Sequence, residues 1–167
     1  MSDQQEFRPE LTSRRGEITA WVLTIGLGAA LFIATQSLGA LSPFIWVFEG
    51  FLVFSALVIS LGNWVDRKSV IHMDAQGIAF ENGLRSVRLG WNEVQNVAVM
   101  QTRAGKRVQI VGPSSHFSFK LATESILFGQ TFRTGFADGQ FILDTVLKKS
   151  GMQLKGEAEG MYYYARA

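Results

Sequence analysis

The chain has 167 residues, a formal net charge of +2 and no cysteine. So small a positive charge gives no basic face for nucleic acid, and the absence of cysteine excludes disulfides, thiolate metal sites and thiol nucleophiles. Only 18% of the residues are charged, against about 25% in a typical soluble domain, because one long segment near the N-terminus is almost without charge.

That segment covers residues 18–65 and is broken near its middle by Ser42 and Pro43. A membrane-spanning helix needs roughly 20 mostly apolar residues. The segment therefore predicts two crossings joined by a tight turn, one at 18–41 and one at 43–65. The apolar run is too long for the core of a cleaved signal peptide, so we expect an uncleaved membrane hairpin.

Residues 1–17 are predicted to form a polar N-terminal tail. Basic residues flank the hairpin on both sides and are missing from its turn, and they are Arg8, Arg14, Arg15, Arg67 and Lys68. Since the cytoplasmic flanks of membrane helices carry the excess of Lys and Arg, both termini are expected in the cytoplasm.

Gly26, Ala30 and Ala34 recur every four residues along one face of the first crossing. Small residues let a neighbouring helix approach closely, and in lipid such packing drives helix association. Two interpretations stay open: the stripe packs against the second crossing, or it packs against a helix of a separate membrane protein.

Glu49 is the single ionisable residue inside the hairpin and lies in the outer part of the second crossing. A carboxylate at this depth is costly unless it reaches the interface or a partner. We expect it either to extend toward the outer headgroups or to contact a polar or basic group of another membrane subunit. Proton transfer is the least favoured role, because no second polar residue lies at the same depth.

After residue 66 the apolar pattern changes to a period of two, which is typical of half-buried antiparallel strands. Asn82 and Gly83 give the strongest hairpin signal, because a type I′ turn needs positive φ at both central residues. Asp138 precedes a helical pattern that Gly151 ends. The predicted strands are 70–73, 78–81, 84–89, 94–101, 107–111 and 116–121, and the predicted helix follows Asp138 and runs to about residue 150.

Two further segments have more than one interpretation. Residues 123–135 form either another strand with a loop or an apolar loop that leans on the membrane. Residues 152–167 form a C-terminal tail, whose tyrosine-rich end adds an edge strand or contacts lipid headgroups.

Three segments carry a resemblance to bacterial PH-like domains, and their residues are Asp74-x-x-Gly77-Ile78 within 70–78, Arg88-x-x-Trp91-x-x-Val94-x-x-Val97 within 87–97, and Phe117 to Lys120. Many proteins of that family carry the module behind two N-terminal membrane helices. The resemblance implies an α+β membrane protein in which residues 66–151 form a cytoplasmic PH-like antiparallel β-barrel or sandwich, capped by a C-terminal α-helix. It also implies a bacterial inner membrane or a thylakoid-type membrane.

What the resemblance implies about function is a binding or scaffolding module with no catalytic residues, cofactor or metal. The loop from Asp74 to Gly77 lacks the lysines and arginines of phosphoinositide-binding relatives, so recognition of that type is not expected. The expected role is a non-enzymatic scaffold, assembly factor or accessory subunit of a larger membrane protein complex. Membrane lipids and other integral membrane subunits are the expected partners, and an autonomous lipid-contacting module is the alternative.

Arg103, Lys106 and Arg107 form a basic group on a predicted hairpin tip in a domain tethered close to the membrane. Such a tip gains about 1 kcal/mol per charge beside anionic lipid. We expect it to contact lipid or an acidic partner, or else to remain solvated and to blunt edge pairing. The two histidines, His72 and His116, have no further ligand at metal-site spacing and are expected to be ordinary strand residues.

Overall fold

The computed structural model describes residues 5–10, 13–102, 105–127, 130–158 and 160–166, and of residues 125–127 and 130–132 it describes the backbone alone. The chain divides into two compact units. We call residues Ser13–Trp64 the helical unit, and Met1–Thr12 together with Val65–Ala167 the β unit.

The helical unit consists of two long helices, α1 (Arg15–Leu38) and α2 (Pro43–Lys68), of which the last turn of α2 belongs to the β unit. Both are long and apolar enough to cross a membrane, and only 6% and 11% of their most apolar stretches are buried in protein. Gly39 ends α1 with φ of 85°, which is a left-handed value that glycine adopts without steric cost. The predicted pair of helices is confirmed, with α1 ending three residues earlier than expected.

The β unit is built from antiparallel sheets and one helix. The described strands form sheets in the orders β1-β3-β4-β5, β2-β10-β9 and β11-β12-β6-β7-β8. The elements are β1 (Gln5–Phe7), β2 (Pro9–Glu10), β3 (Val70–Met73), β4 (Gly77–Glu81), β5 (Ser86–Gly90), β6 (Asn96–Thr102), β7 (Gly105–Val111), β8 (His116–Lys120), β9 (Thr123–Leu127), β10 (Gln130–Phe136), α3 (Gly139–Ser150), β11 (Met152–Ala158) and β12 (Met161–Arg166). The α+β layout expected from the sequence is thus present.

The core of the β unit is formed by alternate residues of the strands and by one face of α3. Phe117 is fully buried on β8, and its ring stacks on that of Phe80 with centroids 5.3 Å apart. Ile142 and Val146 of α3 are also fully buried. The period of two in β8 is confirmed, because Phe117 and Phe119 are buried while Ser118 between them is not.

The hairpin between β4 and β5 differs from its prediction. Gly83 has the expected positive φ of 78°, but the loop is longer than a two-residue turn and β5 begins only at Ser86. The Asn82 side-chain oxygen accepts hydrogen bonds from the backbone N–H groups of Leu84 (3.1 Å) and Arg85 (3.0 Å). Asn82 therefore stabilises a wider loop, since Asn side chains readily bond to the backbone two or three residues ahead.

Both chain ends join the sheets. Residues 5–10, expected as part of a polar tail, form β1 and β2, which pair with β3 and β10. The expected C-terminal tail forms β11 and β12, and β12 pairs with β6, so α3 is not the last element. The segment 123–135, which had two interpretations, contains β9 and β10, and these two strands pair with each other. Phe7, Tyr162 and Tyr164 of these end strands pack against the core, so pairing with a neighbouring strand and contact with the core together fix their conformation.

Candidate functional site

The two helices of the helical unit are joined by polar contacts near one end of their seam. Trp21 Nε1 donates to Ser60 Oγ at 2.8 Å, and Asn63 Nδ2 donates to Glu17 Oε2 at 3.0 Å. Hydrogen bonds between helices set their register when the surroundings offer no hydrophobic drive for association. The seam is therefore held by specific bonds as well as by packing.

Glu49 lies inside this helix pair. Its side chain is only 8% exposed, and its Oε1 lies 3.0 Å from the place where a Cβ on Gly28 would be. α1 accommodates the carboxyl group because Gly28 has no side chain. Glu49 is thus packed against α1, and the expected extension toward the outer headgroups is not seen.

The second carboxyl oxygen of Glu49 is the unusual feature of the helical unit. Oε2 is buried and has no hydrogen-bond partner among the described residues. Buried polar atoms nearly always have a partner, so an unsatisfied one calls for an explanation such as a bound group. This oxygen has unused capacity to accept a hydrogen bond.

The small-residue stripe does not coincide with the seam. Gly26 and Ala30 are exposed and Ala34 is half-buried, and a Cβ added to Gly26 would meet no atom within 4 Å. The buried residues of α1 and α2 include Thr24 and Ala56 instead. The interpretation that the stripe packs against the second crossing therefore fails for Gly26 and Ala30, and their face is open to another helix.

The basic group is divided in the structure. Arg103 lies outside the described residues, whereas Lys106 and Arg107 are exposed neighbours on β7. Successive residues of a strand point to opposite faces of the sheet. Lys106 and Arg107 therefore do not act on one face, and Arg107 is directly opposite Lys120 of β8.

A cavity of about 200 Å³ lies in the β unit on the side of Arg107. Its lining brings together residues from distant parts of the chain, and the charged ones are Glu10, Asp66, Arg107 and Lys120. Sequence analysis gave no site role to Glu10, Asp66 or Lys120. No local pattern indicates a shared site, because only the sheet register and the pairing of β2 with β10 bring them to one place.

Asp74 forms a structural network with the other residues of the PH-like motif. Its Oδ1 accepts the backbone N–H groups of Gln76 at 2.7 Å and Gly77 at 2.9 Å, and its Oδ2 accepts Arg88 Nη2 at 2.8 Å. These backbone bonds, with a smaller contribution from the charge of Arg88, hold the pKa of Asp74 below its ordinary value of 3.8. These bonds stabilise the turn and connect it to β5.

Trp91 extends the same network. Its Nε1 donates to the backbone oxygen of Asp74 at 3.2 Å, and the ammonium group of Lys149 lies 5.0 Å from its ring centroid. Arg166 of β12 donates to the Trp91 backbone oxygen at 3.0 Å. Trp91 thus connects the first hairpin and α3 through its side chain, and the last strand through its backbone oxygen.

Within the described ranges, no three His, Asp or Glu side chains come close enough together to hold a metal ion. His72 of β3 is half-buried, and its Nδ1 has no hydrogen-bond partner in the part of the chain that the structure describes, whereas His116 of β8 is exposed. The histidines are therefore strand residues in different sheets.

Comparisons with known proteins do not assign this chain to a family. Neither protein-family models nor curated proteins nor solved structures give a match to this chain. The function must therefore be argued from the two units and from their unsatisfied or unpaired groups.

Proposed function

We propose that this chain is a membrane-anchored scaffold, assembly factor or accessory subunit of a larger membrane protein complex, with no catalytic activity of its own. α1 and α2 cross a bacterial inner membrane or a thylakoid-type membrane. The β unit is a PH-like domain in the cytoplasm, on the same side as both termini.

The exposure of the helices supports the membrane part of the proposal. Large apolar side chains such as Phe44 (78% exposed), Ile25 (65%) and Phe54 (63%) point away from the helical unit. Leaving such a side chain in water instead of an apolar environment costs about 1.5–3 kcal/mol. Lipid around the helices removes this cost for the whole surface at once.

Strand pairing supports the orientation. β1 precedes the hairpin in the chain and β3 follows it, yet the two strands pair from Gln5 opposite Met73 to Phe7 opposite Ile71. The two flanks of the hairpin must then lie on the same side of any membrane that it crosses. Arg67 and Lys68 in the last turn of α2 favour the cytoplasmic side.

The observation that carries the proposal is that Glu49 Oε2 is buried without a hydrogen-bond partner from any residue the structure describes. A donor side chain on a helix of another subunit would supply the missing hydrogen bond, and intramembrane carboxylates are usually paired in this way. The exposed Gly26 and Ala30 give that helix a place for close approach beside the seam.

The experiment is purification of the full-length protein in mild detergent, followed by identification of the proteins that migrate with it. We expect integral membrane subunits to accompany the wild type and to be lost from Glu49→Leu and Gly26→Leu. Gly62→Leu is the matched control, because Gly62 is also an exposed helix glycine whose added Cβ would meet no atom within 4 Å. A wild-type protein that migrates alone contradicts the proposal.

A second candidate, an autonomous lipid-contacting module, is favoured by the exposed Lys106 and Arg107. Neither side chain has an ion pair within the described part of the chain. Its test is trypsin cleavage after these residues in the full-length protein held in nanodiscs. Slower cleavage in nanodiscs of anionic lipid than in neutral ones supports lipid contact at the tip, and equal rates contradict it.

A further inference from the structure

The cavity of the β unit lies where the second helix ends. Val65 and Asp66, in the last turn of α2, are part of its lining, and Val65 directly follows the last residue of the helical unit. A residue adjoining a membrane-spanning segment lies at the level of the lipid headgroups. With the hairpin in the membrane as proposed above, the cavity therefore lies beside the membrane surface.

One part of the cavity is positively charged. Arg107 of β7 and Lys120 of β8 are directly opposite each other in the sheet. Like charges in this position repel each other and destabilise the pair. Neither has an ion pair or a side-chain hydrogen bond in the described part of the chain, and Ser118 places a hydroxyl group in the same lining. An anion such as a phosphate group would relieve the repulsion and accept bonds from both cations.

Another part of the cavity is negatively charged. Glu10 lies on β2 opposite Gly135, and its Oε2 is buried without a hydrogen-bond partner among the described residues. Asp66 adds a second carboxylate to the lining. A buried carboxylate oxygen without a donor is costly, and an ammonium group would provide donors and the opposite charge.

The two parts together restrict the ligand. A purely anionic group meets repulsion from Glu10 and Asp66, and a purely cationic group meets repulsion from Arg107 and Lys120. A small group with both charges satisfies all four. The volume of about 200 Å³ is below the range of about 300–1,000 Å³ of sites for drug-sized ligands, which suits a headgroup and not a larger molecule.

We propose that this cavity binds a phosphoethanolamine group, with the phosphate at Arg107 and Lys120 and the ammonium at Glu10. Its position beside the membrane favours the headgroup of phosphatidylethanolamine as the source, and soluble phosphoethanolamine is the other source of the same chemistry. The site does not depend on a partner complex. A membrane lipid can be the source of the group only if α1 and α2 cross the membrane, as proposed above.

The experiment is native mass spectrometry of the full-length protein in detergent, titrated separately with phosphatidylethanolamine, phosphatidylglycerol and phosphatidylcholine. Soluble phosphoethanolamine is then added as a competitor. We expect the first lipid to bind about tenfold more tightly than the other two, the effect of one charge-assisted hydrogen bond to a buried group. If millimolar phosphoethanolamine displaces the bound lipid completely, the soluble compound is the source of the bound group.

Variants separate the two charged parts of the cavity. Glu10→Gln should remove the preference for phosphatidylethanolamine over phosphatidylglycerol while binding of the second lipid persists. The double variant Arg107→Ala with Lys120→Ala should weaken binding of both lipids about tenfold. Asp144→Asn and Lys148→Ala are the matched controls, since both residues are exposed on α3 and outside the cavity lining.

The proposal is overturned if the wild type binds the three lipids equally and does not bind phosphoethanolamine. It is also overturned if Glu10→Gln keeps the wild-type preference, which would mean that Glu10 simply pairs with Arg107 or Lys120. Thermal unfolding of each variant shows whether the β unit is intact. If Glu10→Gln does not fold, Arg107→Gln alone tests the phosphate part, because Arg107 is exposed. A wild-type protein that purifies without partner proteins but still prefers phosphatidylethanolamine would contradict the proposed complex. The proposal of a lipid site would then still hold.

Discussion

The helical unit and the β unit place their apolar side chains in opposite ways. In the β unit, Ile71, Ile78 and Phe117 are fully buried. In the helical unit most large apolar side chains are exposed, and its buried residues include two polar ones, Thr24 and Glu49. Water drives apolar groups inward in the first unit. The helical unit instead leaves most of its large apolar side chains at its surface, while the small residue Gly28 and the polar residue Glu49 pack against each other between its helices.

This contrast predicts that the same substitution has different costs in the two units. A large side chain that fills the β-unit core contributes both burial and packing. A large apolar side chain exposed on the helical unit makes neither contribution to the fold of its own unit. Paired variants therefore measure whether the two units differ as the structure indicates.

The largest effect is expected from Phe117→Ala, compared with Phe54→Ala. Phe117 is fully buried against Phe80, so its truncation should lower the free energy of unfolding of the β unit by about 3–5 kcal/mol, a large part of the total of about 5–15 kcal/mol of an ordinary domain. Phe54 is 63% exposed, and its truncation should change stability by less than about 0.5 kcal/mol. Chemical denaturation of the full chain in detergent gives both values. Equal losses would contradict the contrast.

A smaller effect is expected from Gly28→Val, compared with Gly26→Val. A Cβ at Gly28 would lie 3.0 Å from Glu49 Oε1, whereas a Cβ at Gly26 would meet nothing within 4 Å. Crowding should therefore weaken the helix pair by about 1–3 kcal/mol in the first variant only. Loss of helical circular dichroism during titration with sodium dodecyl sulfate measures the effect. If Gly26→Val is equally damaging, the seam has been placed on the wrong face.

A third comparison uses pH and concerns the β unit alone. The folded state holds the pKa of Asp74 below 3.8, so Asp74 stabilises the fold above that pH and loses this contribution as the pH falls through the lower, folded pKa. The melting temperature of the wild type should therefore decrease in acid below about pH 4. Asp74→Asn should show a lower melting temperature at neutral pH and a flatter acid limb. An unchanged slope in the variant would mean that other carboxylates cause the loss.

The smallest effect is expected from Lys149→Met. Its ammonium group lies over the Trp91 ring at 5.0 Å, an interaction of about 0.5–1 kcal/mol at an exposed site. Lys148→Met is the matched control, because Lys148 is exposed in the same turn of α3. The difference between the two melting temperatures isolates the contact with Trp91. If the two variants melt together, that contact adds nothing measurable.

The elements with strong patterns could be predicted from the sequence. β3 has the predicted bounds, and α3 begins directly after Asp138 and ends before Gly151, as predicted. Apolar side chains at a regular period define such elements locally. The long segment 18–65, which is almost without charge, likewise defines α1 and α2.

The remaining elements depend on tertiary partners. β1 is three residues long and β2 only two, too short for any period to be visible. β10 contains Gly135 with φ of 95°, where an added Cβ would crowd the backbone oxygens of Lys120 and Leu121. Glycine is required there by the neighbouring chain, which a sequence pattern does not show.

The candidate sites, too, could be predicted from the sequence only in part. Glu49 stands out in the sequence because a lone carboxylate in an apolar segment is rare, but the direction in which it points depends on Gly28 of the other helix. Glu10 and Lys120 both line the cavity, although they lie more than a hundred residues apart in the chain. Only the folded register brings such residues together.

The pairing of β1 with β3 has a consequence for biogenesis. β1 leaves the ribosome first, but its hydrogen-bonding partner appears only after both helices have been synthesised. β12, the last strand, then covers β6, which would otherwise be an open sheet edge. A nascent chain that stops before β12 therefore keeps unpaired strands that quality-control proteases and chaperones can bind. Closure of the three sheets requires that every strand from β1 to β12 has been synthesised.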